Sequence, residues 1–144
     1  DMNDQDLDAQ FHEYRHRYEN AWRPFPDVVA CLTSLASTHR VAVLTNGDQA
    51  QQDDKMERTG LNALVETTIA SSTLGFTKPD TAAFHAAVAS LRATPSTTVY
   101  VGDRLDIDAQ AASAAGLTGI WLNRTGDGQD PVGIRTITTL AHLP

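Results

Sequence analysis

The chain has 144 residues, 41% of them apolar, and carries 11 basic against 18 acidic side chains for a net charge of −7. That length suits one domain with its own core, and an acidic balance without a basic cluster argues against binding to nucleic acid or to an anionic membrane surface. No apolar run approaches the roughly 20 residues of a membrane span. The acidic start DMNDQDLD lacks a signal peptide's basic and apolar regions, and the single Cys31 has no disulfide partner. A soluble, cytoplasmic protein is expected.

Phe11, Tyr14, Tyr18 and Trp22 recur at spacings of three and four over residues 6 to 23, which predicts an amphipathic helix with an aromatic packing face. Pro24 and Pro26 break it, and Asp27 is placed to cap a second helix, DVVACLTSLAST, with Val28, Cys31, Leu32 and Leu35 facing inward. VAVLTNG and VETTIASS follow as strands, separated by a polar helix that runs through Arg58 and closes at Gly60. TAAFHAAVASLRA has helical spacing, TTVYVGD and GIWLNR read as two further strands, and an alanine-rich helix, AQAASAAGL, lies between them. After a GDGQDPVG loop, IRTITTLAHLP adds a short strand and one helical turn. Strand alternating with helix implies an α/β fold with a mostly parallel sheet.

Reactive groups in such sheets gather at the C-terminal ends of strands. Thr45, Asn46 and Gly47 end the first strand with a hydroxyl, an amide and bare backbone N–H groups, all suited to phosphate oxygens. Lys78 leaves a loop restrained by Pro79. Asp103, Asp106 and Asp108 crowd the end of TTVYVGD. Helix-dipole stabilisation accounts for Asp106 and Asp108, but Asp103 beside Gly102 is better explained by a divalent cation, since Mg²⁺ takes one or two carboxylates, waters and substrate phosphate.

Taken in order, TNG, KPD and VGDRLDID before an alanine-rich helix, this sequence resembles the haloacid dehalogenase superfamily, in particular its capped phosphatases. The resemblance covers nearly the whole chain. It implies a Rossmann-like three-layer parallel core over residues 24–144, with helices on both faces, and a helical-cap remnant over residues 1–23. It implies that Thr45 and Lys78 are catalytic, that both bind substrate together with Asn46 and Gly47, and that Asp103 and Asp108 hold Mg²⁺. Asp106 has no family role and reads as a helix cap. The GD pair distinguishes the phosphatases from the metal-independent dehalogenases, which look like SSN at this position.

The family's nucleophile lies in a DxDxT motif after an apolar strand, and this sequence contains none; Asp4-Gln5-Asp6 and Asp6-Leu7-Asp8 follow no apolar strand and lead into the amphipathic helix. In the family that strand sits between those ending in Thr45 and Asp103, so without it the sheet is expected to split. The expectation is a fragment of a Mg²⁺-dependent phosphatase of small phosphorylated metabolites, working through a phosphoaspartate, whose central first strand and nucleophile come from a missing N-terminal segment or another chain. Two alternatives compete with it, a non-catalytic descendant that binds a phosphorylated ligand or partner and a metal-independent haloacid dehalogenase.

Overall fold

A computed structural model describes residues 4–143. Residues 1–3 of the expected cap remnant and residue 144 of the expected core lie outside the described residues. Helix α1 (Asp4–Asn20) is followed by α2 (Val28–Ala36), strand β1 (Ala42–Thr45), α3 (Gln49–Arg58), β2 (Thr67–Ala70), the one-turn α4 (Ser71–Leu74) and α5 (Thr81–Ser90). Then come β3 (Val99–Gly102), a π-helical stretch from Leu105 to Gln110 that runs into α6 (Ala111–Ala114), β4 (Thr118–Leu122) and β5 (Arg135–Ile137). A 3₁₀ turn at Leu140–His142 follows. None of the described helices is long and apolar enough to cross a membrane.

All strand pairs are parallel, as the alternation of strands and helices requires. Among the described residues the strands form two sheets, β1–β2 and β3–β4–β5, with helices on both sides. The expected split is therefore present. Its consequence shows in burial, because parallel strands are normally covered on both faces. All four residues of β1 are only half-buried, and Val99 of β3 is 56% exposed.

The main core joins α5 to the helix after β3. Phe84 and Val88 pack against Ala111, Ala112, Ala115 and Leu117, with Leu44 and Tyr100 at the margin. Phe84 is fully buried, which contributes about 2 to 3 kcal/mol. The alanines permit a close approach of helix to sheet: a Cβ on Gly119 of β4 would lie 2.0 Å from the Ala109 carbonyl oxygen. Met56 and Ile69 are buried on α3 and β2.

Two local expectations change. Asp27 stands at the start of α2 but makes no side-chain capping bond. Its carboxylate instead accepts from Arg124 Nη1 and Nη2 at 2.9 and 3.0 Å, from the Thr139 hydroxyl at 2.6 Å and from the Leu140 amide at 2.8 Å. A guanidinium outbids a backbone amide for a carboxylate. The result ties the proline-rich link after α1 to the end of the chain, and Arg124 also lies over the Phe25 ring at 4.0 Å. The aromatic stripe of α1 is largely uncovered, with Phe11, Tyr14 and Tyr18 61%, 67% and 52% exposed. Near its end the helix meets α3 through Glu19, which faces Arg58 at 3.8 Å, and just beyond it buried Trp22 lies beneath Lys55.

Candidate active site

The C-terminal ends of β1 and β3 face each other across the break in the sheet, and one side chain links them. Tyr100 of β3 places its hydroxyl 3.2 Å from the Leu44 carbonyl of β1, the residue before Thr45. Lys78 reaches the same point from the loop before α5. Its ammonium donates to the Tyr100 hydroxyl at 2.8 Å and to Asp108 Oδ1 at 2.5 Å. The Lys78 side chain is 10% exposed and that of Asp108 4%, so this ion pair is largely shielded from solvent.

Asp108 is seated by its backbone surroundings. The π-helical turn after β3 brings its other oxygen to the Arg104 amide at 3.0 Å. Gly102 leaves room beneath it, since a Cβ there would fall 2.4 Å from Asp108 Cβ and Cγ. Asp103 closes β3 as an exposed residue, and its carbonyl accepts from Trp121 Nε1 at 3.1 Å. Asp106 is exposed in the first turn of the same helix, and the Ile107 amide is the main cause of its lowered pKa.

On β1, Thr45 is half-buried and its hydroxyl donates to the Asn46 carbonyl at 3.3 Å. Asn46 spends its side chain on the lysine loop: Nδ2 donates to the Lys78 carbonyl at 3.0 Å, and Oδ1 accepts from the Lys78 amide at 2.9 Å. Gly47 takes up a φ of +137° and donates its amide to the Ser71 hydroxyl at 2.9 Å. Asn46 thus fixes Lys78, and Gly47 fixes the end of β1 against the start of α4.

Tyr100 is the site residue that the sequence reading passed over. Burial first, and then the charge of Asp108, push its pKa far above that of an ordinary tyrosine, so it stays a neutral hydroxyl. A tyrosine in an otherwise apolar strand needs a partner for its hydroxyl, and that need was the available signal.

Lys78, Asp108 and Tyr100 are thus brought together, with Thr45 and Asn46 on the adjoining strand end. Among the described residues no three His, Cys, Asp or Glu side chains cluster as a metal cage. Both oxygens of Asp108 already have donors, whereas Asp103 presents a carboxylate at the open strand end. One carboxylate with waters and phosphate is an ordinary Mg²⁺ environment, so the donor set fits a partly protein-built site.

Beside these strand ends, an open groove of about 350 Å³ is lined by Phe11, Tyr14, Arg15 and Tyr18 of α1 and by Asp48 and Gln51 at the start of α3.

Known proteins resemble this chain in sequence and in fold. The sequence pattern of haloacid dehalogenase-like hydrolases matches residues 2–116. A glyceraldehyde 3-phosphate phosphatase of Methanopyrus kandleri is 31% identical over 79% of this chain and 48% of its own length. A pyrimidine 5′-nucleotidase of Escherichia coli is 30% identical over 83% of this chain and 53% of its own. The chain spans about half the length of the curated relatives it matches.

Among solved structures, a 2-haloacid dehalogenase from Pseudomonas syringae has a TM-score of 0.74 at 33% identity, covering 83% of this chain and 51% of its own. A Bacillus subtilis hydrolase bound to magnesium has a TM-score of 0.84 at 23% identity, covering 99% of this chain and 63% of its own, and shares the fold. With its motifs in family order, its parallel core and a pattern match over most of its length, the chain belongs to the haloacid dehalogenase-like hydrolases.

Proposed function

We propose that these residues form part of a Mg²⁺-dependent phosphatase acting on a small phosphorylated metabolite, with the phosphoryl group held between Lys78, Thr45 and Asp103. The observation that carries this reading is the Lys78 ammonium, fixed at the break in the sheet beside the strand end that bears Thr45. Phosphoryl transfer spreads charge over three equatorial oxygens, and catalysis lies mainly in positioning and electrostatic stabilisation. Lys78 meets one of those oxygens with a charge whose strength the buried setting preserves, and the Thr45 hydroxyl turns to donate to another. Asn46 keeps the lysine loop in register with β1. Asp108 holds Lys78 and the turn that follows Asp103. Mg²⁺, held by Asp103, would supply positive charge to the phosphate when bound.

The nucleophilic carboxylate comes, on this reading, from a strand that fills the break between β1 and β3 and completes the sheet, either from the same polypeptide or from another chain. Residues 1–23 serve as part of a cap, with α1 lying over Asp48 and Gln51. The groove beside them receives the part of the substrate away from the phosphate. The relatives' names span a triose phosphate and a nucleotide, so they favour phosphate monoesters as a class. Action in the cytoplasm is part of this reading, which the single cysteine supports.

The test is phosphate release from a panel of phosphomonoesters by the product of the whole open reading frame that contains these residues. Release should require Mg²⁺, stop in EDTA and fall about 10²- to 10³-fold in Lys78→Met, as for loss of one preorganised charge donor. The second reading, haloacid dehalogenation, is favoured by the Pseudomonas syringae structure. Halide release from a 2-haloacid that persists in EDTA, without phosphate release, would establish it instead.

A further inference from the structure

We propose that Tyr100 is a positioning residue for Lys78: its hydroxyl, together with Asp108, fixes the direction in which the ammonium points. The inference rests on the phosphatase reading for what Lys78 meets, while the way Lys78 is held is read from contacts alone.

A lysine ammonium has three N–H donors on a flexible stem. Asp108 Oδ1 at 2.5 Å takes one of them. Were Asp108 the sole partner, the ammonium could swing about that oxygen and turn its remaining hydrogens in any direction. The Tyr100 hydroxyl at 2.8 Å takes a second donor and removes that freedom, leaving the third for a substrate oxygen. The hydroxyl has one hydrogen of its own, which it can give to the Leu44 carbonyl at 3.2 Å or to Asp108 Oδ1 at 3.3 Å. In the first case the ammonium is tied through Tyr100 to the strand that carries Thr45.

The ring is itself well anchored. It meets fully buried Phe84 edge-on, with centroids 5.1 Å apart at 83°, and Lys78 Nζ lies 5.4 Å from its centroid. Tyr100→Phe therefore removes the hydroxyl while leaving the packing in place.

The sequence offers a direct readout, because Lys55 and Lys78 are its only lysines. Amine acetylation followed by peptide mass spectrometry reports each separately in the full chain. In the wild-type protein Lys78 should react at least tenfold more slowly than Lys55; equal rates would overturn the proposal without any variant. In Tyr100→Phe the Lys78 rate should rise at least threefold at an unchanged Lys55 rate, with only the small loss of melting temperature that the lost hydroxyl hydrogen bonds bring. An unaltered Lys78 rate in the folded variant would mean that Tyr100 only packs.

In the whole open reading frame product, the same substitution should lower kcat about tenfold and leave KM within twofold. A rise in KM at unchanged kcat would contradict positioning of the transition-state contact. If Lys78 labelling responds as stated but the wild-type protein releases no phosphate, the functional reading fails and the holding of Lys78 by Tyr100 stands.

Discussion

Replacing Asp27 by Asn gives a prediction whose size can be worked from the contacts. The carboxylate takes both arms of Arg124, the Thr139 hydroxyl and the Leu140 amide. An asparagine can keep its single carbonyl oxygen toward Thr139, Leu140 and Arg124 Nη1. Its NH₂ then faces Nη2, donor against donor, and the charge is gone. Loss of a charge-assisted bond with a donor left unmatched costs about 2 to 3 kcal/mol when buried. Asp27 and Arg124 side chains are 15% and 23% exposed, so solvent screening reduces the expectation to about 2 kcal/mol. For a chain of this size that corresponds to a fall in melting temperature of roughly 4 to 8 °C.

The pH dependence fixes the mechanism. The Arg124 hydrogen bonds, and next that of Thr139, hold the Asp27 carboxyl well below the usual carboxylate range. A depressed folded-state pKa means that the group's stabilisation is complete above its unfolded pKa of about 3.9 and is lost as the pH falls toward the folded value. Thermal melts at pH 7 and at steps below pH 4 should show the wild-type protein losing its advantage over Asp27→Asn on acidification. A deficit under about 0.5 kcal/mol at pH 7, or one that stays constant into acid, would refute the argument.

Other expectations follow from the same contacts. Gly119→Ala should cost about 3 kcal/mol in denaturant melts, because its Cβ would meet the Ala109 carbonyl at 2.0 Å and the Ser113 hydroxyl at 2.7 Å, and backbone cannot yield cheaply. Gly102→Ala should force Asp108 out of place, because its Cβ would fall 2.4 Å from Asp108 Cβ and Cγ, so Lys78 should acetylate faster and the melting temperature should fall. Asn46→Ala removes two bonds to the Lys78 backbone at an exposed position. It should cost only about 1 kcal/mol in stability, yet lower phosphate release at least tenfold.

The alternation of VAVLTNG, TTVYVGD and GIWLNR with helical stretches was enough to place β1, β3 and β4 and the order of the elements, because period-two and period-3.6 patterns are local properties. The split sheet was legible for another reason, the lack of DxDxT before an otherwise ordered set of family motifs. What the sequence hid is long-range pairing. Asn46 and Lys78 are 32 residues apart, Tyr100 and Leu44 are 56, and Asp27 and Arg124 are 97; no local pattern says that they meet. Asp27 looks like a helix cap until Arg124 is known to be beside it. The turn at Ser71–Leu74 read as the end of a strand because two serines follow a β-branched run, and only the left-handed Gly75 behind it marks a helix end. The uncovered aromatic face of α1 is equally silent in the pattern, since periodicity predicts a packing face and not what packs on it.

The account stands most directly on whether a phosphate sits between the two strand ends. A crystal structure of the whole open reading frame product with Mg²⁺ and a phosphate analogue such as orthovanadate measures this. The account predicts the anion within hydrogen-bonding distance of Lys78 Nζ and Thr45 Oγ1, with the cation on Asp103. It would be contradicted by an anion bound elsewhere, with Lys78 and Thr45 turned away from Asp103.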